Sequence, residues 1–540
     1  MSVTDVGADK RIFLRKASGL IRTASLTDTF IYNLGVVSIG LGVGSMLFYG
    51  PAFYPQGNLI WGCIIAGIAM MMISFGFITW TITLPRSGGI YVFGSRILPP
   101  AIALTISLVE IVAWLFYCAI AAYWIVILAL APMFAGLNLL TGNETFLTIS
   151  KTMLEPWATF LIGAAILLLS QVVLSYGMRF YLTVNKWVFI FAMASTLFLI
   201  LVLALGSREQ FVANLNELVG PSLGVPDAYN AIIASGKEKG WGEPGFDLWQ
   251  TILVSNWPML PLIGAAFSIA IGGEIKSVQR SQTVGMLGAV LVATLAFVIT
   301  VWLAYQVFGF EFLGTAVFNY LTASGGLTTP TDPALPLLTG ILTKSPLITV
   351  ITSIGLALWM WMWIPAMHTF GVRAVVAWAF DQVAPAPLAT ISEKYHTPIV
   401  AITATTIVNL IFMALFVFTP WFSKIVILIE AAILAWSVVL AAGIFFPYLR
   451  PQLYEKSPLA GKTVFGLPIM TVACFLGFIA AQFSFWTLFF DPNAAGHEPT
   501  QVMIVAGVFV FGLVFYYVMK FIKRSQGIDV TLAFKEIPIE

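Results

Sequence analysis

Twelve long apolar stretches run through this chain of 540 residues, and each is long enough to cross a membrane as a helix. A hydrocarbon core of about 30 Å needs roughly 20 apolar residues per helix. The pattern predicts an all-α polytopic membrane protein with 12 transmembrane helices. The stretches lie at 30–51, 59–84, 97–134, 157–176, 187–206, 248–273, 284–309, 346–372, 398–420, 425–449, 466–490 and 499–519.

The composition excludes several other classes of protein. Hydrophobic residues make up 59% of the chain and charged residues only 9%, whereas soluble domains carry roughly 25% charged residues. An ordinary soluble enzyme, a disordered chain and a coiled coil are therefore excluded. The net charge of +2 indicates no nucleic-acid partner. The three cysteines, Cys63, Cys118 and Cys474, lie in apolar runs, so we predict neither a disulfide framework nor a metal site or cofactor.

Positive charge in the connections predicts the orientation. The two tails and the even-numbered loops carry 20 of the 26 Lys and Arg residues, and the odd-numbered loops carry 6. Cytoplasmic loops are enriched in these residues, so both termini are expected in the cytoplasm, in a multi-pass plasma-membrane protein. The long connections at 207–247 and 310–345 then face outward, and a short helix over the mouth fits each of them.

Two stretches contain residues that interrupt helices. Gly40, Gly42 and Gly44 alternate in the first, and each glycine costs about 1 kcal/mol relative to alanine. Pro258 and Pro261 lie three apart in the sixth, where proline removes a backbone donor and clashes with the preceding turn. We predict breaks at Gly42–Ser45 and at Pro261–Gly264. The two breaks lie at similar depths in the membrane, although the first span starts from the cytoplasmic face and the sixth starts from the outer face.

Matched breaks of this kind predict two halves of opposite topology, as in many secondary transporters. The predicted parts are a cytoplasmic tail at 1–29, a first inverted repeat (helices 1–5) at 30–206, and an extracellular loop at 207–247. A second inverted repeat (helices 6–10) follows at 248–450, then helices 11 and 12 at 451–523 and a tail at 524–540.

Unwound backbone in a membrane is tolerated where it lines a polar cavity. Free N–H groups suit a carboxylate and free carbonyls suit an ammonium group, so we predict a site for a small zwitterion. Neither break carries a charged side chain, which favours a neutral or apolar amino acid. Trp257 is a candidate gate. The substrate-binding candidates are Gly42, Val43, Gly44, Ser45, Met46, Pro261, Leu262, Ile263 and Gly264.

Three ionisable residues lie within the apolar stretches: Glu110, Glu430 and His368. A charge at mid-membrane costs about 2.5–3.5 kcal/mol on insertion scales, so such residues are functional candidates. We interpret all three as candidates for proton coupling. The alternative is that each is neutral and hydrogen-bonded between helices.

Several segments resemble those of the APC (amino acid–polyamine–organocation) superfamily. Gly44–Phe48 is similar to a Gly-rich element that ends in Gly-Ile-Phe in the family, although Met46 replaces its second glycine. Many relatives carry a lysine within helix 5. In this chain the deeper positions of the fifth stretch, Ala192–Ser195, contain no lysine. The other similar segments are Pro85–Phe93 (PRSGGIYVF), Glu274–Ser281 (EIKSVQRS, without the family's proline), Arg373–Asp381 (RAVVAWAFD), Lys394–Pro398 (KYHTP) and Leu449–Pro451 (LRP).

The resemblance implies a 5+5 inverted repeat with broken helices 1 and 6 plus two C-terminal helices. It implies uptake or exchange of amino acids or related amines. Together with the ionisable candidates and the two breaks, this predicts secondary active transport of amino acids by alternating access, as proton-coupled symport or as exchange. An amino-acid sensor or channel on the same fold, and a transporter of polyamines or other organocations, remain alternatives. Sodium remains open as the coupling ion, and the oligomeric state is open as well. We do not expect an enzyme: a haem–copper oxidase core needs several intramembrane histidine ligands, and only His368 of three histidines lies in a span. No P-loop is present, so we do not expect ATP-driven pumping either.

Overall fold

The computed structural model describes residues 22–322, 326–329, 331–419, 428–494 and 497–530. Within these ranges, 12 helical segments are long and apolar enough to cross a membrane, which confirms the predicted all-α polytopic class. The start of the predicted tenth stretch, at 425–427, lies outside the described residues. We number the spans 1 to 12: Leu26–Phe53, Leu59–Thr83, Pro100–Thr141, Pro156–Ser175, Met178–Leu205, Leu248–Ala270, Val278–Val307, Pro346–Phe380, Ile399–Phe418, Leu428–Leu449, Ile469–Phe489 and Pro499–Ser525.

The connections contain short elements. Two strands, Thr463–Val464 and Leu467–Pro468, form an antiparallel hairpin between spans 10 and 11. We call the side that holds Arg22 and the loops after spans 2, 4, 6, 8 and 10 the cation-rich face, and the other side the opposite face. The short helices are Ile90–Gly94, Glu144–Leu154, Arg208–Leu223, Ala228–Glu238, Phe310–Thr322, Leu335–Thr343 and Pro451–Tyr454, with 3-10 turns at Gly272–Glu274 and Ala386–Ala389.

Span 1 consists of two α-helices, Leu26–Val37 and Ile39–Phe53, which meet at Ser38. The first helix begins with a reciprocal cap, in which Ser25 and Asp28 each bond the other's backbone N–H. Ser38 has φ 53° and ψ 68°, a left-handed conformation that ends one helix and begins the next. Span 1 is therefore interrupted, as predicted.

The predicted position of this interruption at Gly42–Ser45 is wrong, because those residues are helical and the break lies at Ser38. The Gly42 N–H already bonds the Ser38 carbonyl at 2.9 Å. The glycines permit close packing instead of unwinding. A Cβ on Gly40 would lie 2.6 Å from Trp359 Cδ1, and one on Gly42 would lie 2.6 Å from Phe297 Cζ. Small residues serve this purpose widely in membrane helices.

Span 6 changes geometry twice. Helix Leu248–Val254 gives way at Ser255 to helix Asn256–Leu262, and a 3-10 segment, Ile263–Ala270, completes the span. The second change falls within Pro261–Gly264, which confirms the predicted position. A 3-10 helix has poorer hydrogen-bond geometry than an α-helix, so long stretches of it are uncommon and often mark functional hinges.

The two interrupted spans lie in the interior. In the most apolar 18-residue window of each span, 83% of residues are buried in span 1 and 78% in span 6, against 11% in span 12. On the opposite face, the predicted helices in the long connections are confirmed. Phe310–Thr322 packs on the second half of span 1, and Leu335–Thr343 packs on spans 3 and 8. Span 3 is one continuous helix that passes through a π-helical turn at Ile125–Leu130.

Candidate substrate site

The interruptions of spans 1 and 6 meet in the interior. A Cβ on Gly264 would lie 2.4 Å from the Val36 carbonyl carbon and 2.6 Å from the Val37 nitrogen, so only glycine allows this approach of two backbones. Pro261 packs on Gly42 in the same region, where its Cγ would be 3.1 Å from an added Cβ. The structure therefore brings residues of both predicted breaks together.

Main-chain groups are left without helical partners at this junction. Ile39, Gly40 and Leu41 form the first turn of a helix, so their N–H groups have no intrahelical acceptor. Val36 and Val37 end the preceding helix, so their carbonyls have no intrahelical donor. Ser38 adds a buried hydroxyl without a hydrogen-bond partner. A junction with free donors on one side and free acceptors on the other matches the two ends of a zwitterion.

The other predicted binding residues of span 1 occupy different surroundings. Gly44 and Ser45 line a small cavity on the opposite-face side of the junction, and the Ser45 hydroxyl bonds the Gly42 carbonyl at 3.2 Å. Val43 is buried. Met46 points to span 2, where its sulfur lies 3.7 Å from Cys63 Sγ. In span 6, Leu262 and Ile263 are buried beside Gly264.

Both entrances to the junction are closed. The small cavity beside Gly44 has a volume of about 10 Å³, which is room for about one water molecule. Tyr49 lines this cavity, and Trp257 stacks on Tyr49 with ring centroids 4.4 Å apart. The lining also includes Leu335 from the connection after span 7 and Leu356 from span 8. A bound amino acid therefore needs movement of these groups to enter or leave.

A buried ion pair closes the cation-rich face. Arg373 of span 8 donates from Nε to Glu274 Oε1 at 2.7 Å and from Nη2 to Oε2 at 3.1 Å. The two side chains are only 4% and 2% exposed. The Glu274 carbonyl also accepts the N–H groups of Thr23 and Ala24, which lead into span 1. One acidic residue thus connects spans 1, 6 and 8.

Polar side chains tie the first half of span 1 to the end of span 6. Asn33 accepts the Ser268 N–H at 2.9 Å and donates to the Ser268 hydroxyl at 3.0 Å. Gln282 of span 7 donates to the Ser268 carbonyl at 3.1 Å and accepts from its hydroxyl. These bonds satisfy main-chain groups that a 3-10 segment leaves poorly paired. The two half-spans on the cation-rich face are thereby linked to each other.

Glu110 lies beside the 3-10 segment of span 6. The indole N–H of Trp436 donates to Glu110 Oε1 at 2.5 Å, while Oε2 is buried without a partner. Trp436 and Trp114 both pack on Phe267 of the 3-10 segment, with centroids 6.4 and 4.8 Å from its ring. A change of charge at Glu110 would therefore act next to the interrupted helix.

Glu430 and His368 lie elsewhere. Glu430 is buried in the first turn of span 10, toward the opposite face, and its Oε1 has no hydrogen-bond partner. His368 Nε2 lies 2.8 Å from the Thr405 hydroxyl and 3.3 Å from the Ile402 carbonyl, so it bridges spans 8 and 9. The structure thus does not group the three ionisable candidates into one site.

Asp332, on the opposite face, carries a titratable group near the closed mouth. Its Oδ1 is buried without a hydrogen-bond partner, and burial raises the pKa of this carboxyl from 3.8 to about 7. A carboxyl with a raised pKa in the folded state stabilises the fold fully below its unfolded pKa and loses that contribution as the pH rises through the folded pKa. Asp332 therefore destabilises the protein progressively between about pH 4 and pH 7.

Asp332→Asn removes this titration. We expect its melting temperature to exceed that of the wild type by at least about 2 °C at pH 8 and the difference to shrink steadily toward pH 5. Thermal unfolding in detergent from pH 5 to 8 measures it, with the exposed Glu238→Gln on the same face as the control. A difference that does not change with pH contradicts the assignment.

The sequence did not indicate several of these residues. Ser38, Tyr49 and Trp359 form or cover the junction, yet serine and aromatic residues are common in membrane helices. Asn33 carried a usable signal, because it is an isolated amide in an apolar stretch, whereas Gln282 lies among other polar residues just before the stretch at 284–309. Glu274 and Arg373 were recognisable as parts of motifs, but their pairing joins positions 99 residues apart.

Comparison with known proteins agrees with this architecture. No curated protein matches the chain. A family model described as amino acid permease matches residues 26–522, which include all the interrupted and paired elements described above. Members of this family carry amino acids across membranes. The chain belongs to the amino acid permease family.

Proposed function

We propose that this protein is a secondary active transporter of neutral or apolar amino acids that works by alternating access. The observation that carries the proposal is the contact of Gly264 with the Val36–Val37 backbone, which joins two helix interruptions at one point. Interrupted helices of this kind form the substrate sites of many transporters. The chain's membership of the amino acid permease family supports the general class of substrate.

The substrate carboxylate would accept hydrogen bonds from the N–H groups of Ile39, Gly40 and Leu41. Its ammonium group would donate to the carbonyls of Val36 and Val37. The side chain would point toward the cavity beside Gly44, whose lining is mostly apolar. No Asp, Glu, Lys or Arg lines this cavity among the described residues, which favours a neutral side chain over an acidic or basic one.

Alternating access would use two sets of contacts. Asn33, Ser268 and Gln282 join the first half of span 1 to the end of span 6, so these elements would move together when the cation-rich face opens. That movement must break the ion pair of Glu274 and Arg373. Opening of the opposite face must separate Trp257 from Tyr49. We propose that the cation-rich face is cytoplasmic, that spans 1–5 and 6–10 form the inverted repeats, and that the protein lies in the plasma membrane.

Among the three candidate residues, we propose that Glu110 couples transport to protons. Only Glu110 contacts the aromatic cluster that packs on the 3-10 segment. Protonation would neutralise the carboxyl and change its bond with the Trp436 indole, and this change would bias the position of span 6. Glu430 remains a second candidate on the side from which protons would enter, and His368 fits a bridging role between spans 8 and 9.

Glu110→Gln keeps an acceptor for Trp436 but cannot titrate. We expect its uptake to be nearly independent of pH between 5 and 8 and its accumulation under a proton gradient to fall about tenfold, which corresponds to about 1.4 kcal/mol of lost coupling. Uptake into proteoliposomes with and without a pH gradient measures both. Glu430→Gln and His368→Gln serve as controls and should keep the wild-type pH profile. A flat profile in Glu430→Gln alone would transfer the coupling role to Glu430.

The overall proposal is tested by counterflow of labelled leucine in proteoliposomes, with unlabelled competitors and with a sodium or proton gradient. We expect saturable counterflow that neutral amino acids inhibit and that glutamate and putrescine inhibit at least about tenfold less. Binding without exchange would identify a sensor, and flux without saturable counterflow would identify a channel. Inhibition by putrescine alone would identify a polyamine transporter. Each of these three results would overturn the proposal.

A further inference from the structure

A groove of about 740 Å³ opens on the cation-rich face between the end of span 2 and the start of span 7. It is separate from the substrate site. Ile82, Pro85 and Val284 form part of its apolar wall, and Val284 is 44% exposed on the outside of span 7. No charged residue follows Arg280 in span 7, so a side chain exposed on the outside of the span beyond this point faces lipid. The groove therefore continues from the membrane interface onto a lipid-facing surface.

Three cations line this groove: Arg22, Arg280 and Lys456. They come from three separate parts of the chain, namely the segment before span 1, the first turn of span 7 and the connection between spans 10 and 11. All three side chains are exposed, and none forms an ion pair with an acid within the described ranges. By contrast, Lys237 and Lys344 on the opposite face each pair with glutamates.

The neighbouring acids either bond other groups or do not line the groove. The Asp28 carboxylate caps span 1 through Ser25, and Glu274 is held by Arg373. Glu455 is exposed beside Lys456 but does not line the groove. The lining thus combines three positive charges with the polar side chains of Ser277 and Gln279 and with no negative charge.

We propose that this groove binds the headgroup of an anionic phospholipid. The phosphate would lie among Arg22, Arg280 and Lys456, and one acyl chain would run along Val284 and the outside of span 7. A lipid fits better than a free anion because the groove is open to solvent, where salt screens a small ion, whereas a lipid is held at the interface by its chains. Each juxtamembrane cation contributes roughly a fivefold preference for anionic lipid.

The proposal is tested with spin-labelled phosphatidylglycerol and phosphatidylcholine in vesicles that contain the full-length protein. Electron paramagnetic resonance measures the preference of each lipid for the protein surface. We expect the wild type to prefer phosphatidylglycerol, and the triple variant Arg22→Gln/Arg280→Gln/Lys456→Gln to lose at least about fivefold of that preference. The single variant Arg280→Gln, which retains most of the groove, should lose part of it.

The matched control removes the same number of charges elsewhere on the same face. Arg179→Gln/Lys186→Gln/Lys394→Gln changes three exposed cations outside the groove and should lose clearly less of the preference than the groove variant, because these cations do not line the groove. Equal losses in the two triple variants would show a general surface potential and overturn the proposal. Displacement of the spin-labelled lipid by 10 mM inorganic phosphate at constant ionic strength would show a site for a free anion and overturn it as well.

Discussion

Gly264→Ala is expected to weaken amino acid binding and uptake strongly in a protein that still folds and inserts. The added methyl group would lie 2.4 Å from the Val36 carbonyl carbon, and its three nearest neighbours are all backbone atoms of Val36 and Val37, so no flexible side-chain end is there to give way. Spans 1 and 6 must therefore separate at their junction. Overpacking of this kind costs about 1–3 kcal/mol, so we expect affinity to fall by about 5- to 150-fold. Counterflow of labelled leucine measures the loss.

Gly507→Ala is the matched control, because an added Cβ at Gly507 meets nothing within 4 Å in span 12. It should retain wild-type uptake and gain slightly in helix stability. Size-exclusion profiles and melting temperatures of both variants separate loss of function from loss of fold. Wild-type uptake in Gly264→Ala would mean that the close contact of the two interruptions has no part in transport.

Arg373→Met is expected to cause the largest loss of stability among the changes considered. It leaves the Glu274 carboxylate buried and without its bidentate partner. Removing one partner of a buried ion pair costs about 3–5 kcal/mol, which is a large share of the stability of most proteins. The melting temperature in detergent measures the effect. Lys344→Met, at an exposed pair with Glu217, should have little effect.

The double variant Glu274→Gln/Arg373→Met removes both charges together. We expect it to recover most of the lost melting temperature, because no uncompensated charge remains buried. It should still transport poorly, because the ion pair that holds the cation-rich face closed is absent. Accessibility of a cysteine placed at the buried Thr369, one turn from Arg373 in span 8, to a membrane-impermeant thiol reagent should then increase. Equal stability of the single and double variants would show that the two charges do not stabilise each other.

The spans were predictable from the sequence because each depends on local composition alone. A run of about 20 apolar residues must form a helix in lipid, whatever its neighbours are. The change of geometry at Pro261–Gly264 was predictable for a similar reason. Proline removes a hydrogen bond within its own helix, so its effect is local. Pro258 and Pro261 therefore indicate the change of geometry directly from the sequence.

The position of the break in span 1 was not predictable, because glycine permits two different outcomes. Gly40 and Gly42 lower the stability of a helix, but they also let Trp359 and Phe297 approach its axis. Packing decided between these outcomes, and packing depends on residues more than 250 positions away. Ser38 adopts a left-handed conformation that serine rarely takes without tertiary constraint.

The pairing of Glu274 with Arg373 and the covering of Tyr49 by Trp257 also depend on long-range packing. The motifs that contain Glu274 and Arg373 lie at the ends of spans, where charged side chains are usually solvated. Only the fold shows that the pair is buried. The separation of Glu110 from Glu430 and His368 has the same origin, because the spacing of spans in the sequence does not determine which spans touch.

The most direct test of the account is the binding of leucine and of two blocked forms to the purified protein. Leucine methyl ester lacks the carboxylate, and N-acetyl leucine lacks the ammonium group. If the junction of spans 1 and 6 binds both ends of a zwitterion, leucine should displace labelled leucine and each blocked form should bind at least about 100-fold more weakly, since each loses about 3 kcal/mol of charge-assisted hydrogen bonds. Equal displacement by either blocked form would contradict the account.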